Sequence, residues 1–187
     1  QLNQDRLEIK RLLEVGIRFL HTSGYFVLPG LLNPGFGIFL KKVQDAGIFT
    51  SLDVVRSPSM KSPDPLWEVM PYLDLFTCNR GEARILSGSQ DPESAAAFFH
   101  QKGARQVIIK LGAEGCWLSD GTIKERIPAP GVAQVLDTTG AGDAFAVGLL
   151  AALQEGQDLV SACQAGNHKG ARATQFLGAV RLDSSQE

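Results

Sequence analysis

Three cysteines, two methionines, two tryptophans and two tyrosines in 187 residues already exclude several kinds of protein. Cys78, Cys116 and Cys163 are odd in number and widely spaced, so they form neither a disulfide framework nor a C-x-x-C metal pair, and reduced buried thiols are expected. No apolar run approaches the roughly 18 residues of a membrane span, and no basic-then-apolar signal segment opens the chain. There is no basic block either: 18 Lys and Arg stand against 20 Asp and Glu, and the net charge of −2 carries no electrostatic footprint for nucleic acid. His21, His100 and His168 share no spacing that suggests a ligand set, and packing or surface roles are expected of them. A cytoplasmic protein with neither a membrane nor a nucleic acid as partner is the reading that remains.

What is present is enough apolar residue, 44% of the chain, to fill one sizeable core, and residues 1–187 are read as a single α/β domain. Apolar positions from Asp5 to Val15 predict a helix ended by Gly16, and Ile17 to Leu20 a short strand. Asn33-Pro34 starts a helix that Gly47 stops; Ile48 to Leu52 then forms a strand delivering Asp53 to its end. A polar, Pro-broken loop from Ser57 to Pro65 leads to a short helix over Leu66 to Tyr72 and a strand over Asp74 to Thr77. Asp91-Pro92 caps another helix. Gln106 to Leu111, β-branched and nearly all apolar, reads as a central parallel strand. Ser119-Asp120-Gly121 turns a hairpin, Val132 to Leu136 is read as a strand, and helices are expected from Ala141 to Gln154 and from Leu159 to about Thr174. Strands alternating with helices predict a mostly parallel sheet with its ligand crevice at the carboxyl ends of the strands, where Asp53, Asn79, Gly112 and the Gly140 turn would fall.

The stretch Asp137-Thr138-Thr139-Gly140-Ala141-Gly142-Asp143-Ala144-Phe145 opens the longest helical pattern. A glycine-bracketed helix start leaves backbone N–H groups without intrahelical acceptors and adds the positive end of the helix dipole, so it suits an anion. Beside it, Asp143 could accept a proton from an attacking hydroxyl. From spacing alone this reading and a plain tight turn with a helix-capping acid are about even.

The same nine residues closely resemble the signature of the PfkB family of carbohydrate kinases, which have the ribokinase-like fold. Further stretches resemble that family in the family's order. His21-Thr22-Ser23-Gly24-Tyr25 is similar to its strand-end segment, Asn79-Arg80-Gly81-Glu82 to its N-x-x-E motif, Lys110-Leu111-Gly112-Ala113-Glu114-Gly115 to its nucleotide-phosphate segment, and Ala165-Gly166-Asn167 to the stretch against the adenine. The resemblance implies a three-layer ribokinase-like fold with a mostly parallel central sheet, and a phosphotransferase moving the γ-phosphoryl of ATP to a hydroxyl of a sugar or sugar-like molecule. Asp143 would be the general base, and the N–H groups of Gly140, Ala141, Gly142 and Asp143 the anion hole. Lys110, Gly112, Gly115 and Thr138 would border the nucleotide, and Asn167 the adenine. Asn79 and Glu82 would help hold Mg²⁺ through water, although read without the other motifs they are a helix cap with a capping-box acid. Asp137 and Thr139 match positions that bind a monovalent cation such as K⁺ in some members; turn chemistry is the favoured reading of both.

The family's N-terminal half, with its di-glycine motif and small lid, has no counterpart in these residues, so the chain resembles the C-terminal part of a kinase. The lid is where members often pair, which implies a homodimer for the full-length protein. After Asp53, Val55 and Ser57 stand where many sugar kinases carry Asn and Arg, with Arg56 displaced. Two alternatives stay open: a nucleoside or vitamin kinase of the same fold, or a non-catalytic nucleotide-binding module.

Overall fold

Gln106 to Lys110 forms β4, and its three central side chains, Val107, Ile108 and Ile109, are at most 1% exposed, as a strand covered on both faces requires. In this computed structural model, residues 7–55, 57 and 62–178 are described. Arg56 and the centre of the predicted polar loop lie outside them, as do the first two residues of the predicted first helix.

The described residues form two compact units, one from those within 7–109 and 119–124, the other from those within 110–118 and 125–178. In the first, α1 (Ile9–Glu14) precedes β1 (Phe19–Thr22), α2 (Pro34–Asp45), β2 (Phe49–Asp53) and α3 (Asp64–Val69). β3 (Leu75–Asn79), α4 (Arg80–Ser87) and α5 (Pro92–Gln101) lead into β4. β1 pairs with β2 in parallel, Phe19 opposite Phe49, and β2 with β3, Asp53 opposite Thr77. The core beside these strands holds Tyr25, Leu40, Leu52, Phe76 and Phe99, all at most 1% exposed. The second unit carries all but the last residue of β5 (Cys116–Ser119), all but the first of β6 (Lys124–Ile127), and α6 (Ala141–Gln154) and α7 (Leu159–Ala173). The strands of the six-stranded sheet stand in chain order, β1 to β6.

Two expectations are corrected. β1 begins two residues later than predicted, so His21 and Thr22 lie within it, and His21 Nδ1 makes a 2.8 Å hydrogen bond with Ser51 Oγ on the neighbouring strand. The strand read at Val132 to Leu136 does not form. The N–H groups of Leu136 and Asp137 both donate to Thr174 O, at 2.8 and 3.3 Å, and Val135 and Leu136 are 54% and 48% exposed. The segment is therefore tied to the end of a helix, where an apolar run has no sheet to enter. Among the described residues, no helix is long and apolar enough to cross a membrane.

Candidate active site

The second unit builds its site on the start of α6. Gly140 takes a left-handed conformation, φ 77°, which L-residues adopt only at a cost, and the chain turns there into the helix. Ala141 N–H donates back to Thr138 O at 3.2 Å, and the helical ladder begins with Ala144 N–H on Gly140 O at 2.9 Å. Between them, the N–H groups of Gly142 and Asp143 fall in the first turn, where a helix supplies no carbonyl four residues back. Asp143 is the third helical residue, exposed, in the position where a carboxylate complements the helix dipole.

Lys110, the last residue of β4, reaches the same turn. A Cβ placed on Gly142 would lie 3.5 Å from Lys110 Nζ, so the ammonium stands over the glycine backbone. Immediately after it, Gly112 to Glu114 form one 3₁₀ turn, closed by Leu111 N–H on Gly115 O at 2.7 Å and Gly115 N–H on Gly112 O at 3.0 Å. Gly115 admits no side chain: a Cβ would fall 2.0 Å from Ile127 O and 2.6 Å from Ala129 N. Lys110, Gly112, Gly115, Gly142 and Asp143 thus belong to one unit, in which the Lys110 ammonium meets the glycine-opened helix start.

Asp137 is committed within its own turn. Its Oδ1 accepts from Thr139 N–H at 2.9 Å and its Oδ2 from Gly178 N–H at 3.0 Å. The N–H and hydroxyl of Thr139 first, then the N–H of Gly178, hold the carboxyl below the usual carboxylate range. Asn167, on α7, is 5% exposed and donates from Nδ2 to Ile127 O at 3.0 Å and Pro128 O at 3.3 Å. One turn earlier on α7, Cys163 is buried, and its hydrogen bond with Cys116 and then burial push its thiol pKa up.

Reading the chain by motif missed the hollow beside α7. It measures about 410 Å³, within the range of small-molecule sites, and is lined by Pro130, Gly131, Val132, His168, Lys169 and Arg172, among others. His168, Lys169 and Arg172 have no spacing characteristic of a motif, since they are simply the exposed side of one helical turn and a half. The only available signal was their closeness in sequence to Asn167.

In the first unit, Asn79 caps α4. Its Oδ1 accepts Glu82 N–H at 2.9 Å while Glu82 Oε2 accepts Asn79 N–H at 2.8 Å, a reciprocal capping box. Glu82 is 8% exposed and Asn79 is exposed. Both residues line a recess of about 530 Å³ together with Arg80, Arg84 and Gln90. Asp53, 3% exposed, ends β2. Among the described residues, no three or more His, Cys, Asp or Glu side chains group as a metal cage.

Residues 5–184 match the profile described as pfkB family carbohydrate kinase. Among curated proteins, the chain is similar to the 2-dehydro-3-deoxygluconokinase of Bacillus subtilis (strain 168), 35% identical over 169 residues. That match covers 85% of this chain and 51% of the relative, so the chain spans about half of the relative's length. Among solved structures, it resembles the PfkB protein of Polaromonas sp. JS666, with a TM-score of 0.77 at 28% identity over 95% of this chain and 60% of that one. It is also similar to the aminoimidazole riboside kinase of Salmonella enterica, solved with aminoimidazole riboside and an ATP analogue: TM-score 0.74, 28% identity, 86% of this chain and 57% of that one. The α/β fold is the ribokinase-like one.

Proposed function

The chain belongs to the pfkB family of carbohydrate kinases, and on that premise we propose that it carries the ATP-binding and catalytic residues of a sugar kinase, with Asp143 as the general base. The observation that carries the reading is the meeting of Lys110 Nζ with the Gly140–Asp143 helix start. One positive side chain meets a first turn that offers two N–H groups and carries the Asp143 carboxylate, a set of groups that suits a phosphoryl group approached by a hydroxyl.

In the proposed reaction the acceptor oxygen attacks the γ-phosphorus of ATP. A new P–O bond forms, the bond to the β,γ-bridging oxygen breaks, and ADP leaves. The hydroxyl proton passes to Asp143. The N–H groups of Gly142 and Asp143 hold the equatorial phosphoryl oxygens, each such donor being worth about 3–4 kcal/mol in the transition state, and Lys110 adds positive charge where negative charge collects. The Gly112–Gly115 turn offers backbone to the remaining phosphates, and the hollow lined by Val132 and His168 fits a nucleotide base. Thr138 contributes backbone to the turn.

Mg²⁺ would neutralise phosphate charge when bound. The Asn79 amide oxygen and the Glu82 carboxylate are hard oxygen donors of the kind it takes through water, and their capping box leaves them fixed in orientation. Asp137 and Thr139 form a turn whose carboxylate is already held by two N–H groups, which supports the structural reading of that pair over a K⁺ site. A homodimer of the full-length protein and a cytoplasmic location remain part of the proposal.

The test is Asp143→Asn in the full-length protein, assayed with ATP and Mg²⁺ against sugars, sugar acids and nucleosides. Turnover is expected to fall by about 10²–10⁴-fold, with ATP affinity retained. Undiminished turnover would remove Asp143 as the base, and turnover on nucleosides alone would favour the nucleoside-kinase alternative. A wild-type protein that binds ATP and phosphorylates none of these acceptors would favour the non-catalytic module.

A further inference from the structure

Asn167 is expected, by resemblance, to lie against the adenine, and its side-chain nitrogen is engaged with the chain itself. We infer that Asn167 is a positioning residue of the nucleotide site, pinning the Ile127–Pro128 segment that joins the phosphate turn to the base hollow. The inference rests on the nucleotide-binding reading above and concerns how that site is held together.

A side-chain amide has two N–H bonds to give. Those of Asn167 face two backbone carbonyls, Ile127 O at 3.0 Å and Pro128 O at 3.3 Å, with Cys116 Sγ at 3.7 Å behind them. At 5% exposure, the donating end of the amide is spent on the chain itself and has nothing left to offer a base edge.

The segment it holds is clamped from a second direction. A Cβ on Gly115 would lie 2.0 Å from Ile127 O, 2.8 Å from Pro128 C and 2.6 Å from Ala129 N, so the phosphate turn rests directly on the same three residues. Two residues on, Pro130, Gly131 and Val132 line the hollow, whose opposite wall is His168, Lys169 and Arg172, the residues that follow Asn167 on α7. One side chain therefore sets the spacing between three parts: the Gly112–Gly115 turn, the 130–132 wall and the α7 wall. Its removal would leave two carbonyls without their donor, that of buried Ile127 at the greater cost, and would loosen both walls together.

Such a role has a signature that neither base reading nor plain stability shares. A residue that hydrogen-bonds the base changes the preference between ATP and GTP, whereas a residue that holds the walls weakens both alike. The experiment uses the full-length protein, with ATP–Mg²⁺ and GTP–Mg²⁺ affinities measured by calorimetry, the acceptor KM measured separately, and melting followed by circular dichroism. Asn167→Asp, which keeps the shape and replaces the donor by an acceptor, is expected to weaken both nucleotides by one common factor, on the order of tenfold, and to leave the acceptor KM unchanged. Asn167→His, whose ring N–H can stand near the amide nitrogen, is expected to recover most of the loss. If Asn167→Asp does not fold, Asn167→Ser, with a shorter donor, is measured in its place with the same expectation at smaller size.

Nucleotide affinity that stays at the wild-type value while the melting temperature falls would overturn the inference and leave Asn167 a purely structural residue. A shift in the ATP-to-GTP ratio would overturn it in favour of direct base contact. A wild-type protein that binds neither nucleotide would instead overturn the kinase reading on which it depends.

Discussion

Asn79 shows how far a local pattern can specify one residue's place. Its side chain closes a reciprocal cap with Glu82, and that pair was legible in the sequence because N-x-x-E spells a capping box wherever a helix follows a strand. The cap by itself predicts that Asn79→Ala costs about 1 kcal/mol and lowers the melting temperature by roughly 2–4 °C, as a thermal melt would measure. If Asn79 also serves the phosphates, the same variant needs more Mg²⁺ for half-maximal activity, and a Mg²⁺ titration separates the two. Lys110 was harder to read. Its sequence position marks only a strand end, and its meeting with Gly142, 32 residues away, is set by the packing of the second unit. Gly115 lies between these cases: its place in the motif was plain, but the reason that only glycine fits, the carbonyl of Ile127 in the space a Cβ would take, was not.

Among the elements, α6 and α7 are the closest pair in the second unit, and glycines set their distance. A Cβ on Gly148 would lie 2.7 Å from Ala165 O, and one on Gly166 would lie 2.9 Å from the Phe145 ring. The first contact is with backbone, so no rotamer relieves it. Gly148→Ala gains about 1 kcal/mol of helix propensity but overpacks the interface at a cost of about 1–3 kcal/mol. The expected net result is a lower melting temperature, together with weaker ATP binding because α6 carries the turn proposed to hold the phosphoryl group. A variant as stable as wild type would show that the helices can separate without cost. Both helices were predicted within one residue of their ends, and the structure adds the Asp158 cap of α7, whose Oδ1 accepts Ser161 N–H at 2.8 Å. The strand expected at Val132 to Leu136 failed because apolar content alone does not show whether a neighbouring strand is available; here the N–H groups went to Thr174.

For the whole chain, acid is the informative variable. Asp91, Asp137 and Asp158 are each held below the ordinary carboxylate range: Asp91 by the Ser94 hydroxyl and N–H, Asp137 by Thr139 and Gly178, and Asp158 by the Ser161 N–H and hydroxyl. A carboxylate with a depressed folded-state pKa stabilises the fold fully above its unfolded value, and that contribution is lost as pH falls through the folded value. The melting temperature is therefore expected to hold level with respect to these three groups above about pH 5 and to fall below about pH 4. An Asp91→Asn, Asp137→Asn, Asp158→Asn triple variant should lose less on acidification, as melts at pH 7 and pH 3 would show. An identical acid slope would mean that other carboxylates carry it.

The sequence by itself determined the alternation of strands and helices, the cap residues, the absence of a membrane-spanning helix among the described residues and the nine-residue signature, because each is a local pattern of period, turn chemistry or composition. Family and fold followed from the order of those patterns. Only the tertiary structure decided that Lys110 stands over Gly142, that Asn167 faces inward to two carbonyls, and that His168, Lys169 and Arg172 wall a hollow. Those facts depend on which faces of distant segments meet, and packing settles that over separations that no local pattern spans. The helix start at Gly140 to Asp143 could be recognised from its letters, while the cation above it and the amide that holds its neighbouring walls could not.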